Sequence, residues 1–365
     1  MSATILVLGG SGNFGARIAE VLAREPGVRI LIGGRDGKRA TEIAKRIGDN
    51  AAPAVLDYHD PEFANHLRSL CVNVVINTAG PFQHQDYSAA RACISAACHN
   101  VDIADGRDFV TGIGALNADA IANDVIVVAG ASSVPALSSA VVNRYRNRFA
   151  QILEIDHAIT AGAKPPGIAA LQAVLAYAGK PFLRWQDGAW RSVYGWQDAR
   201  WSRFGALGRR WLMNCDVPDL QLFPNEYPGV RSVIFRAGTG MAIGTLVLWA
   251  LSWSVRLHAI RKLEHIAPWL HRLAKAVEWV GTRRSGMRVT VRGLDQSRRP
   301  LEVTWTLVAD DNHGPYVPCA PAIALTKKLI RRPMMERGAM PCIGVLSVEE
   351  ILEACAGLKV SVFEE

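Results

Sequence analysis

The sequence LVLGGSGNFG, residues 6–15, constrains the fold of this chain more than any other feature. An apolar run, Ala3–Leu8, precedes the glycines, and an amphipathic helical pattern follows them. Gly10, Gly12 and Gly15 match G-x-G-x-x-G, in which the first glycine makes a tight turn, the second admits a pyrophosphate and the third lets helix and strand pack closely. The pattern therefore predicts a turn between a strand and a helix, with phosphates bound at the helix N-terminus.

Short apolar runs alternate with helical patterns through the first 131 residues. Such alternation is typical of βαβ units and of a parallel sheet with helices on its faces. The predicted fold class is α/β, with an N-terminal Rossmann domain, a doubly wound parallel sheet, over residues 1–133. We expect six strands in this domain, at Ala3–Leu8, Val28–Gly33, Ala54–Asp57, Val74–Asn77, Asn100–Asp102 and Val125–Ala129.

The pattern changes after Ser133, where a helical segment leads into strand-like runs without regular βαβ alternation. A second, α+β domain built on a mostly antiparallel sheet is predicted over residues 134–318. The remaining residues, 319–365, contain two helical patterns that we expect to return to the Rossmann domain. Five tryptophans cluster between residues 185 and 211, where they fit either a substrate-contacting wall or an apolar core.

With 365 residues, half of them apolar, the chain has room for about two domains. Its net charge of +8 is concentrated between residues 184 and 299, where there are 19 Lys and Arg but only 8 Asp and Glu. This basic region fits anionic substrate or cofactor groups or an anionic membrane, and no sequence signature of nucleic-acid binding accompanies it. The seven cysteines are odd in number and include no C-x-x-C. We therefore expect no disulfides, no metal site and a reduced, cytoplasmic location.

Residues 237–280 leave two interpretations open. Nineteen residues without a charge, AGTGMAIGTLVLWALSWSV, are followed by a basic amphipathic stretch, Leu257–Val280. Together they fit a helix pair that contacts a membrane surface. They also fit helices buried in the core or packed in a subunit interface. The second interpretation is favoured, because three glycines and several Ser and Thr interrupt the apolar run.

The end of the second predicted strand indicates which dinucleotide is bound. An acidic residue there would hold the ribose hydroxyls of NAD, whereas this strand ends in two glycines and Arg35, which suits the 2′-phosphate of NADP. Asp36 keeps NAD open, because a shift of one residue would place its carboxylate at that position. We therefore predict NADP(H), with NAD(H) less favoured. The predicted cofactor-binding residues are Gly10, Ser11, Gly12, Asn13, Phe14, Gly15, Arg35, Asp57, Asn77, Thr78, Ala79, Gly80 and Pro81.

The fifth and sixth predicted strands lead into the segments VDIADGRDF and AGASSVP. These loops reach the carboxyl edge of the sheet, as the loop after the fourth strand does, and open α/β folds bind their ligands at that edge. Proton donors are predicted there in the order Tyr87, His84 and Asp105, and substrate contacts at Arg107 and Ser133. Each of these residue types is also common as a structural hydrogen-bonding group. No tyrosine has a lysine four residues later, which excludes the Tyr-x-x-x-Lys chemistry of short-chain dehydrogenases.

Four segments together resemble the saccharopine dehydrogenase family, in particular its branch of saccharopine-dehydrogenase-like oxidoreductases: VLGGSGNFG, GGRD, VVINTAGPFQHQDYSAARACISAACHNVDIADGRDF and VVAGASSVPALS. The C-terminal segments are similar to bacterial members of largely unassigned activity. The resemblance implies a Rossmann domain, an inserted α+β domain, a cleft between them and commonly a dimer. It also implies imine reduction or secondary-amine oxidation, or enoyl reduction as in some relatives. The middle of the chain departs from the saccharopine enzymes, so no catalytic residue is transferred from them.

The predicted function is an NADP(H)-dependent oxidoreductase that transfers hydride to or from a small carbonyl, imine or enoyl substrate in the interdomain cleft. The alternative is a non-catalytic NADP-binding protein that associates with a membrane or a partner through residues 237–280. The expected partners are a small-molecule substrate and a second copy in a homodimer, with no nucleic acid. A peripheral membrane contact is left open.

Overall fold

The computed structural model describes residues 3–83, 85–260, 262–331 and 335–365. Two compact units are present. The first consists of residues 1–137 and 318–354, and the second of residues 138–317 and 355–365.

The strands are, in chain order, β1 Ala3–Leu8, β2 Val28–Gly34, β3 Ala51–Val55, β4 Val74–Asn77, β5 His99–Asp102, β6 Ile126–Ala129, β7 Phe149–Thr160, β8 Pro181–Gln186, β9 Ala189–Tyr194, β10 Arg200–Arg203, β11 Arg209–Asn214, β12 Ser232–Gly238, β13 Ser285–Asp295, β14 Pro300–Ala309, β15 Gly338–Pro341 and β16 Val360–Glu364. The α-helices are α1 Asn13–Leu22, α2 Gly37–Ile47, α3 Phe63–Ser69, α4 Ser88–Ser95, α5 Arg107–Gly112, α6 Asn117–Ala122, α7 Ser138–Tyr145, α8 Ile168–Ala176, α9 Asp219–Glu226, α10 Ala242–Arg256, α11 Ala267–Ala276, α12 Ala320–Ile330 and α13 Val348–Ala354.

The first unit contains a seven-stranded sheet in the order β15-β6-β5-β4-β1-β2-β3, and each neighbouring pair is parallel. Ile5, Leu6 and Val7 of β1 are fully buried. Strands covered on both faces have near-continuous apolar sequences, which is why runs as short as VVIN and IVVA form β4 and β6. The predicted doubly wound parallel sheet is confirmed, and β15 adds a seventh strand beside β6.

The second unit contains a seven-stranded sheet in the order β10-β11-β12-β7-β13-β14-β16. Only the pair of β12 and β7 is parallel, so the predicted, mostly antiparallel second sheet is confirmed. Alternation along β13 explains its two faces: Met287, Val289 and Val291 are buried in the apolar core, whereas Arg288 and Arg292 carry the charges of the other face.

Several strands of the structure have no counterpart in the sequence analysis. The hairpin of β8 and β9 and the strand β10 place tryptophans opposite each other, Trp185 against Trp190 and Trp201 against Trp211, with ring centroids 5.2 and 5.3 Å apart. Their polar and charged neighbours hide the apolar alternation that identifies a strand. The C-terminal segment contains α12 and α13 and also two strands: β15 pairs with β6 in the first sheet, and β16 with β14 in the second.

The uncharged run that begins at Ala237 is divided between two elements. Its first two residues complete β12, and α10 begins only at Ala242. In the described parts of the chain, no helix combines the length and the apolar character that a membrane crossing requires.

Candidate active site

The glycine turn between β1 and α1 is too tight for side chains at three positions. Gly9 has a φ of +71°, in the left-handed region that favours glycine. A Cβ on Gly10 would lie 2.8 Å from the Val7 carbonyl oxygen, and a Cβ on Gly15 would lie 2.4 Å from the Gly9 carbonyl oxygen. Because both obstacles are backbone atoms, they cannot rotate away. Gly15 therefore lets α1 start directly against the turn.

Gly12 has a different role, because it is exposed and lies at the N-cap of α1. No described side chain makes a capping hydrogen bond there. The first N–H groups of a helix have no partner within the helix and carry the positive end of its dipole. Ser11, Gly12, Asn13 and Phe14 thus form a surface of polarised backbone with little side chain above it, which suits an anionic phosphate.

The residues after β2 now have distinct roles. Asp36 is the N-cap of α2, and its Oδ1 accepts hydrogen bonds from the backbone N–H groups of Lys38 and Arg39, both at 3.1 Å. A capping carboxylate of this kind stabilises the helix that follows. The capping bond explains why an aspartate stands at position 36 without a role in cofactor binding. Arg35, which is exposed directly after β2, is then the charged side chain suited to a 2′-phosphate.

A surface hollow lies where β2 and β3 end, and Arg35, Lys38 and Val55 are among its lining residues. Val55 is 66% exposed, which is unusual for a large apolar residue at the end of a strand. An apolar surface beside two cations fits an adenine ring next to a phosphate group. The Oδ1 of Asp57 accepts a hydrogen bond from the backbone N–H of His59 at 3.0 Å, so this oxygen stabilises the turn in which Asp57 lies.

The loop after β4 is fixed to β1 and to itself. The Thr78 N–H and hydroxyl both donate to the Leu8 carbonyl oxygen, at 2.9 and 2.7 Å. Asn77 is buried and accepts from the N–H two residues later at 3.0 Å. The Gln85 side-chain amide donates to the carbonyl oxygens of Ala79 and Pro81, both at 2.8 Å. Gln85 was not predicted, because nothing in its local sequence indicates which backbone atoms it reaches.

Asp102, at the end of β5, is a further residue that the sequence analysis missed. It is 1% exposed, and its Oδ1 accepts from the N–H groups of Ala104 and Gly130 at 3.0 and 2.9 Å. Its Oδ2 is buried without a hydrogen-bond partner among the described residues. Burial raises the pKa of Asp102 to about 7, although the two backbone N–H groups act in the opposite direction. Asp102 therefore joins the loops after β5 and β6 through a carboxyl group that holds its proton near neutral pH.

This raised pKa makes the stability of the protein depend on pH. Between about pH 4 and pH 7 the unfolded chain has Asp102 ionised while the folded protein retains the proton, so the free energy of unfolding falls as pH rises. Asp102→Asn removes this dependence. From about pH 5 to pH 8 the stability of the variant relative to the unmodified protein should rise by about 2–3 kcal/mol in urea unfolding. Asp49→Asn, at an exposed position, is the control, and a flat difference for Asp102→Asn would contradict the raised pKa.

The predicted proton donors have different environments. The Tyr87 hydroxyl donates to the Phe109 carbonyl oxygen at 2.8 Å, and burial raises its pKa, so its proton is already used in a structural bond. Asp105 accepts from the Gln83 amide at 3.1 Å. Asp105 is exposed to solvent as a residue, but neighbouring protein atoms desolvate its carboxyl group and thereby raise its pKa. His84 lies outside the described residues. Of the two candidates that the structure describes, Asp105 is favoured over Tyr87, and the catalytic roles of all three stay predictions.

The two predicted substrate contacts lie on the loops that follow β5 and β6. Arg107 is the first residue of α5 and is half-buried. Ser133 is 7% exposed, in the turn that leads into α7. Asp105 thus lies in the short loop between Asp102, the last residue of β5, and Arg107, the first residue of α5, and Ser133 follows the next strand, β6. A contact of either Arg107 or Ser133 with substrate stays a prediction.

The residues at this sheet edge fit a bound dinucleotide. The carboxyl ends of β4, β1 and β2 are adjacent in the sheet. From them come, in the same order, the fixed loop at Asn77–Pro81, the glycine turn at Gly9–Gly15 and the cation Arg35. A side-chain Cβ on the glycine turn would meet backbone, and the helix start beside it supplies N–H groups. This donor set suits the nicotinamide, pyrophosphate and phosphorylated ribose of NADP in turn.

Comparison with known proteins relates the part of the chain that contains this site to a known family of domains. Residues 5–129 match the family model of the saccharopine dehydrogenase NADP binding domain. An uncharacterized oxidoreductase of Staphylococcus saprophyticus is 48% identical over 50 residues, which are 14% of this chain and 21% of that protein. The chain thus matches about a fifth of the length of this curated relative.

The apo saccharopine dehydrogenase (L-Glu forming) from Saccharomyces cerevisiae has a TM-score of 0.69 at 14% identity, with both chains covered completely. This likeness shows a shared fold. These relatives are dehydrogenases or oxidoreductases, which is the class predicted for this chain. Residues 5–129 are therefore similar to the saccharopine dehydrogenase NADP binding domain, which confirms the predicted resemblance to that family and agrees with the predicted dinucleotide cofactor.

Proposed function

We propose that this protein is an NADP(H)-dependent oxidoreductase that acts on a small carbonyl, imine or enoyl substrate. The observation that carries the proposal is the glycine turn with the start of α1, next to Arg35 at the end of the adjacent strand. A turn that is closed to side chains at Gly10 and Gly15 and tight at Gly12, where a Cβ would lie 3.2 Å from the Gly9 carbonyl oxygen, is suited to a pyrophosphate. The saccharopine dehydrogenase of known structure gives the same fold a redox precedent.

The residues of this chain bind and orient, and bound NADPH would supply a hydride to the substrate carbon. Backbone N–H groups at the start of α1 hold the pyrophosphate, and the Arg35 guanidinium pairs with the 2′-phosphate. Gln85 donates hydrogen bonds to the carbonyl oxygens of Ala79 and Pro81 in the loop at Asn77–Pro81. This loop would therefore offer a rigid surface to the nicotinamide.

Reduction of a carbonyl or imine also requires a proton. Asp105 is the residue we propose for it, because its raised pKa keeps a proton on the carboxyl group at higher pH than an ordinary aspartate. The Gln83 amide at 3.1 Å holds the carboxyl group in one orientation. Tyr87 then acts as a positioning residue, since its hydroxyl fixes the backbone of α5 through the Phe109 carbonyl oxygen.

Arg35→Ala tests the cofactor assignment. We expect the Kd for NADPH to rise about 10- to 100-fold, because a charge-assisted contact with the 2′-phosphate is lost, while the Kd for NADH stays unchanged. Both values come from isothermal titration calorimetry. Arg29→Ala is the matched control, because Arg29 is exposed at the opposite end of the same strand. Equal loss of affinity for both dinucleotides would contradict a 2′-phosphate contact at Arg35.

The proposed activity is tested by NADPH consumption with a panel of ketones, enoyl compounds and mixtures of amines with carbonyl compounds. Turnover with one of these classes is expected. Tight NADPH binding without turnover on any of them would overturn the proposed substrate class. Binding of the substrate between the two units, a homodimer and a cytoplasmic location stay predictions.

A further inference from the structure

Helix α10 has its apolar residues on the outside. Ile243, Leu246, Val247 and Trp249 are between 38% and 67% exposed. These positions recur at helical spacing and form one outward stripe. The buried positions of the same helix include Thr245 and Ser252, both fully buried. An ordinary surface helix has the opposite arrangement, with polar residues outside and apolar residues inside.

The inward polar residues of α10 are hydrogen-bonded, which fixes the rotation of the helix about its axis. The Ser252 hydroxyl contacts the Trp196 carbonyl oxygen at 3.2 Å, and the Thr245 hydroxyl lies 2.9 Å from the Thr239 hydroxyl. Leu248 and Leu251, between them, pack into the apolar cluster beneath the helix. The outward stripe is therefore not a core face that has been turned to solvent; the helix is built to expose it.

The segment that follows α10 also exposes large apolar side chains. Large apolar side chains project to solvent from the turn after α10, from α11 and from the residues beyond it: Leu257, Ile260, Trp269, Leu273 and Trp279, of which Trp279 is 85% exposed. Helix α11 is held to the same apolar cluster by Ala267 and Leu270. An exposed apolar set of this size marks an interaction site rather than scattered surface residues.

Cations accompany the exposed apolar residues. Residues 242–280 contain five Lys and Arg but only two Glu. Lys262, Arg272 and Lys275 are exposed, and Glu264 lies 3.5 Å from the Lys180 ammonium group, so its charge is offset. Exposed tryptophans beside cations are the composition of helices that lie in the interface of an anionic bilayer.

We propose that α10, α11 and the residues that join and follow them, 242–280, form a surface that docks peripherally onto an anionic lipid bilayer. Apolar side chains of α10 and α11 enter the headgroup region, and Lys262, Arg272 and Lys275 pair with lipid phosphates. A second copy of the chain fits this surface less well, because a two-fold contact would place two surfaces of the same net positive charge against each other. The proposal is independent of the reaction that the first unit performs.

Flotation with vesicles tests the proposal. The full-length protein is expected to float with vesicles of phosphatidylcholine and phosphatidylglycerol, to float less at high salt, and to stay behind with phosphatidylcholine alone. The double variants Ile243→Gln with Val247→Gln, and Lys262→Glu with Lys275→Glu, should each lower the bound fraction at least about tenfold. Ile121→Gln, a 54% exposed apolar position of the first unit, and Lys45→Glu are the matched controls and should float normally.

Circular dichroism and thermal melting show whether each variant is folded. Light scattering gives its mass in solution. An unmodified protein that does not float with anionic vesicles overturns the proposal. If, in addition, the apolar double variant changes a dimer into a monomer, the occupant of this surface is a second copy. Equal loss of flotation in the control variants also overturns it, because the effect would then not belong to residues 242–280.

Discussion

Gly12→Val is expected to weaken NADPH binding at least about 100-fold while the protein stays folded. Gly12 has an extended conformation, φ −81° and ψ 172°, that valine also adopts, and its Cβ would be 3.2 Å from the Gly9 carbonyl oxygen, a contact that a small shift relieves. The isopropyl group would cover the first N–H groups of α1, where the pyrophosphate is proposed to bind. Titration calorimetry gives the affinity, and thermal melting should place Tm within about 2–4 °C of the unmodified value.

Two other glycines make this experiment specific. Gly114→Val should leave NADPH affinity unchanged, since no atom lies within 4 Å of a Cβ at that position. Gly15→Ala should instead destabilise the fold by several kcal/mol, because its Cβ would be 2.4 Å from backbone oxygen. If Gly12→Val bound NADPH as tightly as the unmodified protein, the phosphates would not lie on this turn, and the proposed function would lose its main support.

The fold of the first unit could be predicted because its signals are local. Most of its strands are short apolar runs that end at or directly before a glycine or polar residue, and buried parallel strands have that pattern regardless of their neighbours. The exceptions are β3, which begins three residues before its predicted start at Ala54, and β15, which was not predicted. The position of Arg35 beside Asp36 could be read from sequence in two ways. The structure favours the NADP interpretation through a local contact, because the Asp36 carboxylate accepts hydrogen bonds from the backbone N–H groups of Lys38 and Arg39 in α2. That contact is a capping interaction, which the aspartate directly before a helical pattern already allows.

The remaining parts of the site depend on contacts between distant residues. The role of Asp102 comes from the Gly130 N–H, 28 residues away, and from complete burial at the end of β5. Neither property has a sequence pattern, so the prediction fell on Asp105, in the loop that follows β5, instead. The outward apolar face of α10 belongs to the less favoured of the two interpretations of residues 237–280, because periodicity shows that a helix has an apolar stripe but not which way the stripe faces.

A buried polar cluster in the second unit provides the other large expected effect. Asp219, the first residue of α9, accepts a hydrogen bond from the Ser138 hydroxyl, and its Oδ1 lies 3.1 Å from the His157 Nε2. All three residues are fully buried. Phe223 and Phe235 pack against the imidazole, with ring centroids 5.6 and 4.8 Å away. The cluster therefore connects α7, α9 and β7 through one carboxylate in an apolar surrounding.

Asp219→Ala is expected to lower the free energy of unfolding by about 3–5 kcal/mol, because it removes the carboxylate that His157 and Ser138 share and leaves the His157 imidazole buried in the core without it. Asp219→Asn keeps an oxygen that can accept a hydrogen bond from the Ser138 hydroxyl, so its free energy of unfolding should fall less than that of Asp219→Ala. Glu226→Ala is the control on the same helix: its exposed ion pair with Arg146, at 3.9 Å, should contribute less than about 1 kcal/mol. Urea unfolding measures all three, and an Asp219→Ala loss as small as that of Glu226→Ala would mean that the cluster is satisfied without its carboxylate.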